Sequence, residues 1–258
     1  MVMSELNKEG SEKQSANRKE SCDCVMTAAG LSSRMGSWKM MLPYGSGTIL
    51  DASLKNALAC CERVILVVGY RGDELVARYG GRRDIQIVNN PDYEQGLGSS
   101  IRCALAASEA EYLFISHGDL PCIPPSVFQT LWQARGEYAL FPTWQGEAGH
   151  PVLLPKSLAR ALAAAPAQGS VRRWLQQHPH RLVPVESPAI LFDVDTPDRY
   201  QALLAQAPTA GAEIPAAHLL LFLYSGSIRA SIYGGRQGRH YRDKGDNFGR
   251  IKVIWTPT

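Results

Sequence analysis

Apolar and polar positions along the chain fall into two kinds of run that alternate. Cys24–Met26, Arg63–Gly69, Ile85–Val88 and Tyr112–Ser116 are short apolar runs that read as strands, and the continuous β-branched run Arg63–Gly69 has the pattern of a strand covered on both faces. Between them, Ile49–Cys61, Asp73–Tyr79 and Ser99–Ala107 place apolar residues at helical spacing, and Asp51 is suited to support the start of the first. The alternation continues with a helix at Pro125–Ala134, strands at Tyr138–Pro142 and Val152–Leu154, and helices at Ser157–Ala164 and Ser170–Gln177. Strands at Leu182–Val185 and Ile190–Val194 precede a closing helix at Pro197–Ala205. Strands and helices in this order predict an α/β fold, a mostly parallel central sheet with helices on both faces.

The periodic region, residues 22–206, is the length of one domain within a chain of 258 residues. Residues 1–21 mix Lys8, Lys13, Arg18 and Lys19 with Glu5, Glu9, Glu12 and Glu20 and hold no apolar stretch, so a disordered tail is expected there and not a secretory leader. Residues 207–258 lose all periodicity, are rich in glycine and carry more Lys and Arg than acids. A poorly ordered extension is expected. The run Leu219–Tyr224 falls far short of the roughly 20 residues a membrane helix needs. A formal charge of +3 does not point to nucleic acid or a membrane surface. The six cysteines (22, 24, 60, 61, 103 and 122) form no C-x-x-C pair and read as free thiols of a reducing cytoplasm.

The chemistry concentrates where strands end. Thr27-Ala28-Ala29-Gly30-Leu31-Ser32-Ser33-Arg34-Met35-Gly36-Ser37-Trp38-Lys39 follows the first strand. Its Gly30 and Gly36 permit a sharp turn with exposed N–H groups, and Arg34 and Lys39 add full charges suited to a polyphosphate. The loop lacks both the G-x-x-x-x-G-K-[ST] and the G-x-G-x-x-G spacings, which disfavours a P-loop NTPase and a dinucleotide-binding dehydrogenase. His117-Gly118-Asp119-Leu120-Pro121 and Asp193-Val194-Asp195-Thr196-Pro197 follow two further predicted strands. In an open parallel sheet, ligands gather at such ends. Asp119 with Asp195, or with Asp193, can therefore share a magnesium ion, which takes a few carboxylates and completes its shell with phosphate and water. The alternative for Asp193 and Thr196 is a helix cap ahead of Pro197. Gly69 at a strand end, and Gly96, Ser99 and Ser100 before a helix, can approach a base or ribose or serve as turn and cap. Gly149-His150-Pro151 holds a histidine in a defined turn, either against a second substrate or as structure.

Four of these segments together resemble the MobA-like nucleotidyltransferases: the loop from Ala28 to Lys39, Gly118–Pro121, Gly149–Pro151 and Asp193–Pro197. Within that group the chain looks most like the molybdenum cofactor cytidylyltransferases, over about residues 23–206. The resemblance implies a Rossmann-like GT-A nucleotidyltransferase fold. It also implies Mg²⁺-dependent transfer of CMP from CTP to molybdopterin cofactor, with release of pyrophosphate and delivery to a xanthine-oxidase-type molybdoenzyme. It assigns the phosphate loop to Ala28, Ala29, Gly30, Arg34 and Lys39, the metal to Asp119 and Asp195, and the pterin side to Gly149, His150 and Pro151. In guanylyl-transferring relatives the second alanine of the loop is usually glycine, so Ala29 implies cytosine. Thr27 departs from the large aliphatic residue usual at its position, which implies a change of packing. The rival readings are a guanylyl- or sugar-1-phosphate nucleotidyltransferase, a non-catalytic molybdenum cofactor carrier, and a nucleic-acid binder acting through the basic tail.

Overall fold

The computed structural model describes residues 20–165 and 169–206. The expectations for residues 1–19 and 207–258 lie outside the described residues. Glu20 and Ser21 belong to the domain: Glu20 pairs with Arg135 at 2.5 Å, and the Ser21 carbonyl accepts the Tyr112 N–H at 3.2 Å.

In chain order the strands are β1 (Cys22–Thr27), β2 (Pro43–Tyr44), β3 (Gly47–Thr48), β4 (Arg63–Val68), β5 (Ile85–Asn89), β6 (Tyr112–His117), β7 (Ala139–Trp144), β8 (Glu147–Ala148), β9 (Val152–Pro155) and β10 (His180–Pro184). The helices are α1 (Ile49–Leu58), α2 (Gly72–Tyr79), α3 (Leu97–Leu105), α4 (Pro125–Gln133), α5 (Lys156–Ala164), α6 (Val171–Gln176) and α7 (Pro197–Gln206). The main sheet runs β10-β7-β9-β6-β1-β4-β5, with β8 paired to β7. Strands β6, β1, β4 and β5 are mutually parallel, as are β10 and β7. Only β9 and β8 run against their neighbours.

Side chains alternate across a strand, so each central strand feeds two cores. Cys24, Met26, Val64, Leu66 and Phe114 pack with Leu54 of α1, Leu75 of α2 and Phe128 of α4 on one face. Val25, Ile65, Val67 and Ile115 pack with Ile101 of α3, Leu162 of α5 and Leu175 of α6 on the other. This explains why those strands read as unbroken apolar runs. Each fully buried aliphatic side chain contributes about 1.5–3 kcal/mol. A third, smaller cluster joins Met35 of the first loop to Ile49, Val194, Tyr200 and Leu203, fastening α7 over the loop. The Tyr200 hydroxyl adds a 2.7 Å bond to the Pro43 carbonyl.

One predicted element is absent. Ile190–Val194 is not a strand: Pro188–Leu191 forms a 3-10 turn, and the chain continues without a ladder into α7. Pro188 carries no N–H to offer a neighbouring strand. The segment's backbone bonds go instead to loops, with the His150 N–H reaching the Ile190 carbonyl at 3.0 Å and the Val194 N–H reaching the Asp119 carbonyl at 3.0 Å. These two bonds draw the Asp193–Pro197 segment to the ends of β6 and β9.

Helix α1, which backs the first loop, begins with a reciprocal cap. The Thr48 hydroxyl accepts the Asp51 N–H at 3.1 Å, and the Asp51 carboxylate accepts the Thr48 N–H at 3.0 Å. The same carboxylate accepts from Arg78 at 2.6 Å and from the Tyr79 hydroxyl at 2.9 Å, tying α1 to α2. Burial opposes its charge, but the bonds from Arg78, Thr48 and Tyr79 prevail and hold the carboxyl below its ordinary value. Asp51→Ala is expected to lower stability by about 1–2 kcal/mol near neutral pH, the usual worth of a cap. A carboxyl depressed in the fold contributes above its unfolded value of about 3.9 and ceases to contribute as pH falls through its folded value. Chemical denaturation of both proteins at neutral pH and near pH 3 checks this: the gap should narrow in acid.

Candidate active site

β1 and β6 lie side by side, and their last paired residues are Thr27 and His117. To one side of this pair the sheet continues through β4, to the other through β9. Loops leaving β1 and β6 therefore diverge and leave a crevice at their carboxyl ends. A cleft of about 480 Å³ occupies this position, and Ala29, Gly30, Lys39, Asp119, Gly149 and His150 are among its walls.

The loop after β1 is held at both ends. The Ala28 N–H still belongs to the sheet, donating to the Val67 carbonyl at 2.8 Å, and Ala28 itself is fully buried. The residues that reach the cleft begin at Ala29. Gly36 takes a left-handed conformation, as its composition suggested, and so does Ser32, which sequence could not show. Gly30 does not. A side chain added there would meet nothing within 4 Å, so its space lies open beside the cleft. Trp38 is buried with the Arg71 guanidinium 4.6 Å from its ring centre, which anchors the loop just before Lys39.

Lys39 is buried, and its ammonium bonds to the carboxylates of both Asp119 and Asp195. Arg34 reaches the other oxygen of Asp195 at 2.5 Å. Burial works against the Lys39 charge, but the two carboxylates outweigh it and raise its pKa above the ordinary lysine value. For Asp195, burial is likewise overcome by Lys39 and Arg34, and its pKa is lowered. Asp193 lines the cleft and contacts Arg199 only at 3.8 Å. Burial and the neighbouring charges of Asp195 and Asp119 push its pKa up. The helix-capping role falls to Thr196, whose hydroxyl accepts the Arg199 N–H at 3.3 Å. Two carboxylates from separate segments thus converge on one cation. They fit a magnesium ion that takes its remaining ligands from phosphate and water. Among the described residues no group of three or more His, Cys, Asp or Glu could hold a metal alone.

Sequence reasoning did not single out two further members. His117 accepts or donates at 2.7 Å with the Thr27 hydroxyl through Nδ1, and its Nε2 lies 3.2 Å from Nε2 of His150. Thr27 therefore does more than pack, since the hydroxyl orients the ring. Burial, then the nearby Lys39 charge, brings His117 down to about 4. Burial, then His117, brings His150 down to about 3. Both rings are neutral near pH 7. The signal for His117 was its place one residue before Gly118-Asp119; no pattern announced its contact with a residue 33 positions away.

The remaining residues divide. Gly96 and Ser100 line the cleft, and Ser100 is held by the buried Asn90 amide at 3.0 Å. Ser99 turns back to the Gly96 and Asp92 carbonyls. Gly69 lies outside the walls, and a side chain there would come within 2.7 Å of Tyr93, whose ring does line the cleft. Pro151 is buried behind His150.

The α/β sheet, the cleft at its switch point and the loop that presents cations there define a nucleotide-handling transferase domain. Residues 24–182 match the MobA-like NTP transferase domain, and the chain belongs to that family. It is 46% identical to the molybdenum cofactor cytidylyltransferase of Escherichia coli K12 over 178 residues, 69% of this chain and 93% of that protein. Among solved structures, Rv0371c from Mycobacterium tuberculosis H37Rv superposes with a TM-score of 0.64 at 27% identity, covering 73% of this chain and 99% of that one. A complex of Rv0371c with manganese superposes with a TM-score of 0.60 at 25% identity, covering 73% of this chain and all of that one.

Gly149 is where the cleft tolerates least. A Cβ there would lie 2.2 Å from the Ile190 carbonyl oxygen, a backbone atom that already accepts the His150 N–H. Gly149→Ala is expected to cost about 1–3 kcal/mol, as overpacking does, and to displace the loop that carries His150. A melting curve of the variant checks the cost, and a wild-type midpoint would contradict the packing described.

Proposed function

We propose that this protein is a molybdenum cofactor cytidylyltransferase, transferring CMP from CTP to the terminal phosphate of molybdopterin cofactor and releasing pyrophosphate. The observation that carries the reading is the ion cluster of Arg34, Lys39, Asp119 and Asp195, which reaches the wall of the cleft through Lys39 and Asp119, in a chain with 46% identity to a relative of that name.

An acceptor phosphate oxygen attacks the α-phosphorus in line. The new P–O bond forms as the bond to the β-phosphate oxygen breaks, and the pyrophosphate carries away the electron pair. No covalent enzyme intermediate is called for, so positioning and charge stabilisation supply the rate. Ala29 and Gly30 border the phosphates, while Arg34 and Lys39 neutralise charge building on the leaving group. Asp119 and Asp195 are the residues to hold Mg²⁺, which would supply positive charge at the phosphate oxygens when bound. Gly96 and Ser100 line the base and ribose side, with Ser99, Gly69 and Ala28 supporting the walls from behind. Gly149, His150 and Pro151 shape the acceptor side. The product's recipient would be a xanthine-oxidase-type molybdoenzyme. No helix among the described residues is long and apolar enough to cross a membrane, and the six cysteines are free thiols, which suits work in a reducing cytoplasm.

Mass analysis of the product formed from molybdenum cofactor, Mg²⁺ and each of CTP, GTP, UTP and ATP tests the reaction; the cytidylyl adduct is expected, and its absence with CTP would overturn the reading. Asp119→Ala should abolish transfer while the protein still unfolds cooperatively. Turnover at the wild-type rate in that variant would refute the metal assignment. The base choice rests on Ala29, whose methyl takes room a purine needs. Ala29→Gly is expected to raise the GTP-to-CTP ratio of kcat/KM, and an unmoved ratio would remove Ala29 from the selection.

A further inference from the structure

A second cavity, of about 410 Å³, adjoins the cleft and shares Gly149, His150 and Arg172 with it. Its inner walls are apolar, with Ile101, Ile115, Phe141, Val152 and Leu175 among them. Arg172 stands where the two spaces join. Its guanidinium donates at 2.7 Å to the Ala148 carbonyl, which fixes the arm and leaves further N–H donors of the fork uncommitted to that bond. Among the described residues no carboxylate lies within ion-pair distance of Arg172. Arg34 and Lys39, in contrast, are already joined to Asp195 and Asp119. The cleft thus has one cationic pole bound up with acids and a second that is not.

Nucleotidyl transfer must bring two anions together, the triphosphate and the attacking phosphate, and their repulsion grows in a site sheltered from water. A positive group on the acceptor side answers that need. A planar guanidinium suits a phosphomonoester, whose oxygens it can engage in pairs. The neighbouring apolar space suits a flat ring system, with Phe141 in its wall.

Resting on the nucleotidyl-transfer reading, we propose that Arg172 clamps the phosphate of the acceptor while the acceptor's ring system occupies the second cavity, so that the attacking oxygen enters the cleft beside His150. Arg172 is then a binding residue for the acceptor and not for the nucleotide.

The test uses the full chain and a fluorescent pair of probes, neopterin monophosphate and neopterin, titrated separately from CTP with Mg²⁺. The wild type is expected to bind the phosphorylated pterin roughly tenfold to a hundredfold more tightly than the unphosphorylated one, the usual worth of a charge-assisted bond. Arg172→Ala should erase that preference and leave CTP affinity unchanged, while Arg172→Lys should restore part of it. Melting curves show that each variant is folded. No preference for the phosphate in the wild type, or a preference that survives in Arg172→Ala, overturns the clamp. Equal losses of CTP affinity and phosphate preference in Arg172→Ala also overturn it, because the residue would then serve the whole cleft. The preference can hold even where no cytidylyl adduct forms, in which case the reaction assigned to the protein fails and the clamp stands.

Discussion

Everything at the site depends on the parallel pairing of β1 with β6. Their registers end together at Thr27 and His117, and the two side chains bond to each other across that last rung. Beyond the rung one chain becomes the cation-bearing loop and the other becomes Gly118-Asp119. The Gly118 N–H, still bonded to the Thr27 carbonyl at 3.0 Å, keeps the two segments in step for one residue more. A sheet that reverses its direction of travel here opens a crevice without any insertion or second domain.

The charges clustered at that crevice add little to stability. Arg34 leaves most of its side chain in solvent, and exposed ion pairs are worth about 0–1 kcal/mol. Lys39 and Asp119 are largely enclosed, and enclosed pairs lose in desolvation much of what they gain in attraction. Neither interaction is a strong reason for the fold to exist. The two histidines follow the same logic in reverse: burial keeps them neutral, so they shape the floor without adding charge.

The sheet was legible because its central strands β1, β4 and β6 are buried on both faces, and apolar runs prevail there. The place of the first loop and of Asp119 at the cleft was legible because glycine, cations and a carboxylate at strand ends are rarely brought together by packing alone. Ile190–Val194 misled because Ile190 and Val194 are buried, as in a strand, but in a turn whose backbone bonds to loops. Apolarity reports burial and says nothing of the ladder. Gly69 belonged to the same difficulty: its smallness serves the Tyr93 ring, a contact across 24 positions that no local pattern records. Arg172 was invisible for a different reason, since one arginine on a short helix carries no motif, and only the meeting of two cavities gives it meaning.

The small cluster that fastens α7 to the first loop has a consequence in the order of synthesis. Met35 leaves the ribosome early, whereas Val194, Tyr200 and Leu203, which cover it, come at the end of the described domain. Asp195, the partner of Lys39 and Arg34, comes with them. β1, β4 and β5 can pair while the chain is still growing, in keeping with N-terminal segments folding first. The ion cluster cannot close until nearly the whole domain has been made. A nascent chain therefore carries a sheet before it carries a site, and a truncated one exposes Met35 and an unsupported cation loop in place of a working cleft.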